Sequence, residues 1–304
     1  MARDLGYRPN RLAQALPTGR TRMLAILVQD ITNPHNFGLL RGAEAQARAG
    51  GSTLVIADTR ESAELEAAHL ERLGASVDGV VLASSRLADA DLVRLAERLP
   101  VVLFNRRVEG LPSLATDSAD GSRQIVEHLV ALGHRSIAYL GGPTAAWSDG
   151  ERWRGLHGAA AAAGVRVLRR GPFAPTLESG PVAADVGLAT GATALVAFND
   201  LLAIGVLRRL EERGIPVPGQ ISVVGFDDIF GADFCHPPLT TVAGPVEEAG
   251  RALVDVLLAG RDPGPVLTFP IHLRVRSSTG LPPEPGALGP TLAGEGTAAP
   301  GDGR

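Results

Sequence analysis

The sequence predicts an α/β protein made of two doubly wound parallel-sheet lobes. Short apolar segments rich in branched residues, typical of strands buried on both faces, alternate with segments of helical periodicity. The alternation runs through two successive series of four predicted strands each, which favours two lobes over one large sheet. With 304 residues, of which 45% are hydrophobic, the chain is long enough to form both cores.

The first series begins with an apolar run at residues 23–30, MLAILVQD, which predicts a strand buried on both faces. Asn33 and Pro34 follow as a suitable N-cap and first residue of a helix, which runs to Ala49 and ends at Gly50. The alternation continues with predicted strands at 52–57, 77–83 and 101–104 and predicted helices at 61–73 and 88–99.

The second series has predicted helices at 122–132, 151–163, 177–189 and 201–213, and predicted strands at 137–140, 165–168, 194–198 and 221–225. Ser148 and Glu151 have the spacing of a capping box, so we expect Ser148 to start a helix that carries Arg152 on the same face. A helix at 246–259 and one strand at 267–275 complete the body. Residues 281–304 contain 11 Pro or Gly in 24 positions, which predicts a disordered tail.

Composition and motifs argue against several classes of function. The single cysteine, Cys235, excludes an internal disulfide and a cysteine-cluster metal site. The Gly141-Gly142-Pro143 run matches no phosphate-binding glycine motif, and the seven histidines lack the spacing of metal ligands. We therefore expect no enzyme activity, no cofactor and no metal. The sequence contains no recognisable export signal or apolar run of membrane-spanning length, so we expect a cytoplasmic protein without membrane contact.

The first 22 residues form a basic leader. They contain five arginines and one aspartate, a net charge of +4, whereas the rest of the chain has a net charge of −8. Asn10 can cap a short helix, which Pro17 and Gly19 would end. A cationic arm on an acidic body predicts a segment that faces a polyanion, joined to a domain with another role.

Polar side chains follow the predicted strands, at the edge where doubly wound sheets bind ligands. We interpret them as a binding site for a small polar molecule because guanidinium, carboxylate and amide groups can hold vicinal hydroxyls, and an indole can cover a sugar ring. A sugar or polyol fits this polar set better than a purine. The candidates are His35, Asn36, Asn105, Trp147, Ser148, Arg152, Asn199 and Asp227. Trp147 is equally compatible with packing at the rim, and we expect Asp200 and Asp228 to cap helices.

Two segments resemble the LacI/GalR family of transcriptional regulators. LGYRPNRLAQALPTGRT at 5–21 is similar to the end of that family's DNA-binding headpiece plus its hinge helix, and ISVVGFDD with PPLTTV within 221–242 is similar to a signature in its effector domain. The resemblance extends over residues 5–280. It implies a periplasmic-binding-protein-like type I fold, with effector contacts from Ser148, Arg152 and Asp227 and further ones from Asn105 and Asn199. It also implies hinge contacts to DNA from Tyr7, Asn10, Arg11, Ala13 and Leu16, with Leu16 as the wedge between base steps.

The resemblance also suggests how the chain divides. We expect a headpiece remnant and hinge helix at 1–21, and a tail at 281–304. We assign 22–118 plus 244–263 to an N-terminal lobe, and 119–243 plus 264–280 to a C-terminal lobe.

The chain departs from the family pattern in two places. His35 and Asn36 stand where the family has aromatic residues, and Ala243-Gly244-Pro245 replaces its usual glutamine, so the effector of a relative does not transfer. The helix-turn-helix that would precede the hinge is absent from the 304 residues, and we hypothesise a start codon placed too late.

We therefore predict a ligand-responsive transcriptional repressor that acts as a homodimer and binds an operator if the full headpiece is present. The alternative is a cytoplasmic sugar-binding protein or a headless paralogue without operator recognition.

Overall fold

Two parallel sheets organise the protein in the computed structural model, which describes residues 20–260 and 266–284. The strands of the first sheet are β1 Met23–Val28, β2 Thr53–Asp58, β3 Gly79–Ala83, β4 Val101–Phe104, β5 Ser113–Thr116 and β11 Leu267–Phe269. All six are paired in parallel, in the spatial order β11-β5-β4-β3-β1-β2. The helices around this sheet are α1 His35–Ala49, α2 Ala63–Leu73, α3 Asp89–Ala96 and α8 Val246–Ala259. Together they form the first lobe.

The second lobe is built on a four-stranded parallel sheet. Its strands are β6 Ser136–Leu140, β7 Arg166–Arg170, β8 Ala194–Ala197 and β9 Ser222–Val224, in the spatial order β7-β6-β8-β9. Its helices are α4 Ser118–Ala131, α5 Trp147–Ala162, α6 Gly180–Leu188 and α7 Asp200–Glu212, with a 3₁₀ turn at Leu177–Ser179 before α6. An antiparallel pair, β10 Thr241–Ala243 with β12 His272–Arg274, packs on the core of this lobe through Val242 and Leu273.

Both faces of the first sheet are covered, as the apolar strands predict. Along β1, Leu24, Ile26 and Val28 pack toward α1 and α8, whereas Ala25 and Leu27 pack on the opposite side with residues of α2 and α3. This alternation follows from the two-residue period of a strand. The predicted α/β architecture with two doubly wound parallel lobes is therefore confirmed.

Helices α1 and α8 cross with their backbones in contact. A methyl group on Gly42 would overlap the carbonyl oxygen of Glu247, and one on Gly250 would overlap the carbonyl oxygen of Leu39. Glycine is required at both positions because a neighbouring backbone atom cannot rotate away as a side chain can. The crossing fixes the start of α8, which follows the second lobe in sequence, against α1 of the first lobe.

The closing segment differs from the sequence-based division of the chain. We expected one strand at 267–275 and placed all of 264–280 in the second lobe. Instead, β11 pairs with β5 in the first lobe, and β12 pairs with β10 in the second. Pro270 separates the two strands, and proline, which lacks an N–H, cannot continue a hydrogen-bonded ladder.

Helix starts account for most of the other differences. Helix α5 begins at Trp147 after Ala146, with no side-chain cap, so the predicted capping box at Ser148 is wrong. Helix α4 begins at Ser118, where the Asp117 carboxylate accepts a hydrogen bond from the Asp120 amide at 3.0 Å. The short strand β5 was not predicted. No helix among the described residues has the length and hydropathy that crossing a bilayer requires.

Candidate functional site

The ends of the strands carry a concentration of left-handed backbone. Seven non-glycine residues in the described part of the chain have positive φ, and six of them lie within four residues after the end of a strand. They are Arg60 and Glu61 after β2, Ser84 after β3, Asn105 after β4, and Asp227 and Asp228 after β9. Because L-residues adopt this conformation at an energetic cost, such residues tend to collect at functional sites. The strand ends of both lobes therefore mark the candidate site.

Arg152 of α5 lies at the centre of this site. Only 6% of the residue is exposed, and its guanidinium donates hydrogen bonds to the Phe198 carbonyl oxygen and, at 3.0 Å, to Asp227 Oδ1. The guanidinium carbon also lies 3.7 Å from the ring centroid of Phe226 and 4.7 Å from that of Phe198. Aromatic contacts and a charge-assisted hydrogen bond offset the cost of burying this cation.

Asp227 lies where the two lobes meet. Its Oδ1 lies 3.8 Å from Nδ1 of His35, the first residue of α1, and the His35 and Asp227 side chains are 12% and 7% exposed. This separation exceeds hydrogen-bond length, and His35 Nδ1 and Arg152 Nε are both buried without a hydrogen-bond partner. An unpaired buried polar atom costs about 1–3 kcal/mol, so a polar guest that reached these nitrogens would be stabilised.

A cavity of about 300 Å³ opens beside this contact. It lies between the first turns of α1, the segment after β9 and the first residue of α8. This volume is at the lower end of the range for small-molecule sites. Its walls are formed by Pro34, His35, Phe37, Gly38, Arg41, Asp227, Asp228, Ile229, Phe230 and Val246. Both lobes contribute to the lining, as expected for a site between lobes.

A second contact between the lobes involves Trp147. The guanidinium carbon of Arg107, in the loop after β4, lies 5.6 Å from the centroid of the Trp147 ring at the start of α5. Arg107 also donates a hydrogen bond to Thr268 Oγ1 at 3.0 Å, which holds it in the first lobe. The half-buried indole thus lies where the two lobes meet.

The three predicted amide ligands make bonds that shape the strand ends. Asn36 Nδ2 donates to the Asp30 carbonyl oxygen at 2.7 Å, and Asn105 Oδ1 accepts from the Thr116 amide at 3.0 Å. Asn199 caps α7, accepting from the Leu202 amide at 3.0 Å and donating through Nδ2 to the Pro175 carbonyl oxygen at 3.1 Å. Ser148 is buried in the first turn of α5. The structure thus brings His35, Arg152 and Asp227 together directly, and effector contact by all eight candidates stays a prediction.

The two carboxylates that we expected to cap helices have other partners. Asp200 is buried and accepts from the Ile229 amide at 2.9 Å and from Thr241 Oγ1, while Asn199 supplies the cap. Burial, reinforced by the nearby Asp227 carboxylate, raises the pKa of Asp200 well above its usual range. Asp228 pairs with Arg274 at 2.9 Å and Arg276 at 2.6 Å. These partners lie far along the chain, so local sequence patterns could not indicate them.

Comparison with known proteins identifies the family. Residues 126–279 match the periplasmic binding protein-like domain family. The HTH-type transcriptional regulator PtxS of Pseudomonas plecoglossicida is 33% identical over 289 residues, covering 91% of this chain and 84% of PtxS. This chain belongs to the LacI/GalR family of transcriptional regulators.

Solved structures of LacI/GalR proteins have the same fold. A transcriptional regulator CelR–cellobiose complex aligns with a TM-score of 0.76 at 30% identity, over 91% of this chain and 88% of that one. The lac repressor dimer bound to operator and the anti-inducer ONPF aligns with a TM-score of 0.80 at 28% identity, over 90% and 99%. The predicted periplasmic-binding-protein-like fold is therefore confirmed. The hinge residues of the LacI/GalR resemblance, Tyr7, Asn10, Arg11, Ala13 and Leu16, lie outside the described residues.

Proposed function

We propose that this chain is a DNA-binding transcriptional repressor that responds to a small polar effector held between its two lobes. The main support for this proposal is the proximity of the Arg152, Asp227 and His35 side chains. A buried cation and a buried anion from the second lobe lie beside an imidazole from the first, next to a cavity lined by both. No residue of this set is arranged as a nucleophile with its base, so binding describes the site better than catalysis.

The chemistry of the site favours a sugar or polyol as the effector. A carboxylate accepts hydrogen bonds from hydroxyl groups, and the buried nitrogens of His35 and Arg152 can bond to hydroxyl oxygens of the same molecule. Trp147, at the junction of the lobes, offers an apolar surface to the face of a sugar ring. The cellobiose complex of CelR supports this class of ligand, although the polar His35-Asn36 pair argues against copying its identity.

The proposed mechanism couples effector binding to closure of the two lobes. An effector that touches His35 and Asp227 at once binds the closed arrangement of the lobes more tightly than an open one, and it shifts the population by that difference in affinity. Closure would change how the basic leader is presented to DNA. A homodimer would present two leaders to a two-fold operator, and the lac repressor dimer bound to operator supports that assembly. We place the protein in the cytoplasm, where such an operator is found.

A screen of sugars by thermal shift tests the proposal. A ligand that binds only the folded protein raises the melting temperature by mass action. Arg152→Ala and Asp227→Ala should each abolish that shift while remaining folded. Arg154→Ala is the matched control, because Arg154 lies on the same helix with an exposed side chain paired to Glu151. Normal shifts in both site variants would show that the effector binds elsewhere.

The alternative is a sugar-binding protein that does not recognise an operator. A gel shift with the 304-residue chain separates the two. A chain without operator recognition should bind duplex DNA weakly, with strong salt dependence and no sequence preference. Selective retention of one sequence over a scrambled duplex at equal salt would support the regulator.

A further inference from the structure

Thr21 and Arg22 end the basic leader, and we call them its root. One carboxylate holds both residues. Asp78, directly before β3, accepts hydrogen bonds from the Thr21 amide at 2.7 Å, the Thr21 hydroxyl at 2.8 Å and the Arg22 amide at 2.8 Å. The backbones join the same cluster, since the Asp78 amide donates to the Met23 carbonyl oxygen at 2.7 Å. The Met23 amide also donates to the Thr21 hydroxyl at 3.2 Å. We call this set of bonds the Asp78 clamp.

The clamp acts on the two residues before β1. The sheet already reaches one of them, since the Thr53 amide of β2 donates to the Arg22 carbonyl oxygen at 2.8 Å. Strand β1 begins at Met23, which pairs with Thr53, and Leu24 pairs with Gly79. Thr21 and Arg22 lie before this ladder, and Arg22 turns the chain with a φ of 55°. The carboxylate therefore fixes the direction in which the chain enters the first lobe, beyond what strand pairing already determines.

The strand that follows Asp78 ends at the same edge of the first sheet as β1, its parallel neighbour. All five residues of β3 are buried, and the next residue, Ser84, has a φ of 52° at the strand-end edge. Arg86 then donates from its backbone amide to Glu66 at 2.9 Å and from Nε to Glu61 at 2.8 Å, which ties the end of β3 to the residues after β2. One buried strand thus has Asp78 and the residues that it holds at its beginning and the strand-end edge of the first sheet at its end.

We propose that Asp78 is a positioning residue that fixes where the leader leaves the body. This inference rests on the proposed DNA-binding function. A fixed root lowers the conformational entropy that is lost when the arginines of the leader settle on phosphates. Loss of the clamp should therefore weaken DNA binding even though no DNA-contacting charge is removed.

The direction in which Asp78→Ala changes duplex affinity separates a positioning role from a purely electrostatic one. Asp78→Ala deletes a negative charge, which by itself would strengthen binding to a polyanion. The clamp predicts the reverse, an affinity for a 30-base-pair duplex about three- to tenfold lower at low salt. Asp91→Ala, which deletes an exposed carboxylate on α3, is the charge-matched control and should bind as tightly as wild type or more tightly.

Two uncharged substitutions refine the test. Thr21→Val removes the hydroxyl that bonds to Asp78 and Met23, and it should weaken duplex binding in the same direction as Asp78→Ala but to a smaller extent. Thr21→Ser keeps the hydroxyl and should bind the duplex as tightly as wild type. A Thr21→Ser variant as weak as Thr21→Val would contradict a role for the hydroxyl bonds.

Hydrogen exchange at the Thr21 and Arg22 amides tests the clamp without DNA. Both amides should exchange slowly in wild type and at least tenfold faster in Asp78→Ala. Unchanged exchange would overturn the clamp itself. Faster exchange with duplex affinity equal to that of Asp91→Ala would reduce the clamp to a structural contact and overturn the positioning role. A wild-type chain that binds no duplex would instead refute the proposed function, and the positioning role with it, even if the clamp is present.

Discussion

Alanine at Gly42 should destabilise the first lobe, because this glycine lets α1 touch the backbone of α8. The added methyl group would overlap the carbonyl oxygen of Glu247 and approach the Arg251 amide nitrogen at 3.2 Å. Both are backbone atoms within one helix, so α8 as a whole must move away. Overpacking of this kind costs about 1–3 kcal/mol of unfolding free energy.

The same substitution at Gly158 is the matched control. Gly158 lies within α5, is exposed, and has no atom within 4 Å of the position that a methyl group would take. Alanine there should stabilise the protein by about 0.5–1 kcal/mol because it favours helix and restricts the unfolded chain. The same Gly→Ala substitution should thus lower the unfolding free energy at position 42 and raise it at position 158.

Thermal and urea unfolding of both variants measure the difference. Each kcal/mol shifts the melting temperature by roughly 2–4 °C in a domain of this size, so Gly42→Ala should melt roughly 2–12 °C below wild type. Because Val246 of α8 lines the cavity, ligand binding by Gly42→Ala should weaken as well. A Gly42→Ala protein as stable as wild type would refute the close crossing of α1 and α8.

Two further predictions concern the site. Burial raises the pKa of Asp200, so its stabilising contribution is present below the ordinary value of 3.8 and is lost as pH rises through the raised value. The unfolding free energy of Asp200→Asn should therefore rise relative to that of wild type as pH rises from 3.8 through the raised pKa, and a difference that stays constant with pH would contradict the raised pKa. Trp147 and Trp153 are the two tryptophans of the sequence, so Trp153→Phe leaves Trp147 as the reporter of the lobe junction. In that background Arg107→Gln should shift the Trp147 emission, whereas Arg94→Gln on the outer face of α3 should not; equal spectra would argue against the Arg107–Trp147 contact.

The strands were predictable because burial on both faces leaves a continuous apolar run such as that of β1. The start of α5 was not predictable, because Trp147 begins the helix without a capping side chain, and the Ser148–Glu151 spacing mimics a capping box two residues after the true N-cap, Ala146. The division at Pro270 was also missed, since pairing of β11 with β5 depends on two segments that lie about 150 residues apart.

Charged residues of the site were easier to predict than its amides. Arg152 and Asp227 were expected to face one cleft, and they form a pair at 3.0 Å because a buried charge requires a partner. An amide such as Asn199 serves equally well as a helix cap or as a ligand contact, and sequence alone does not distinguish these uses. The aromatic rings over Arg152 were missed because Phe198 and Phe226 come from the ends of two different strands.

Hydrogen exchange with and without a sugar selected in the thermal-shift screen would test most directly whether both lobes hold the effector. Binding should slow exchange in residues 34–41 of the first lobe and residues 226–230 of the second within the same experiment. Protection confined to one lobe, or protection around the separate cavity formed by Leu207, Ile215 and His236, would contradict a site between the lobes.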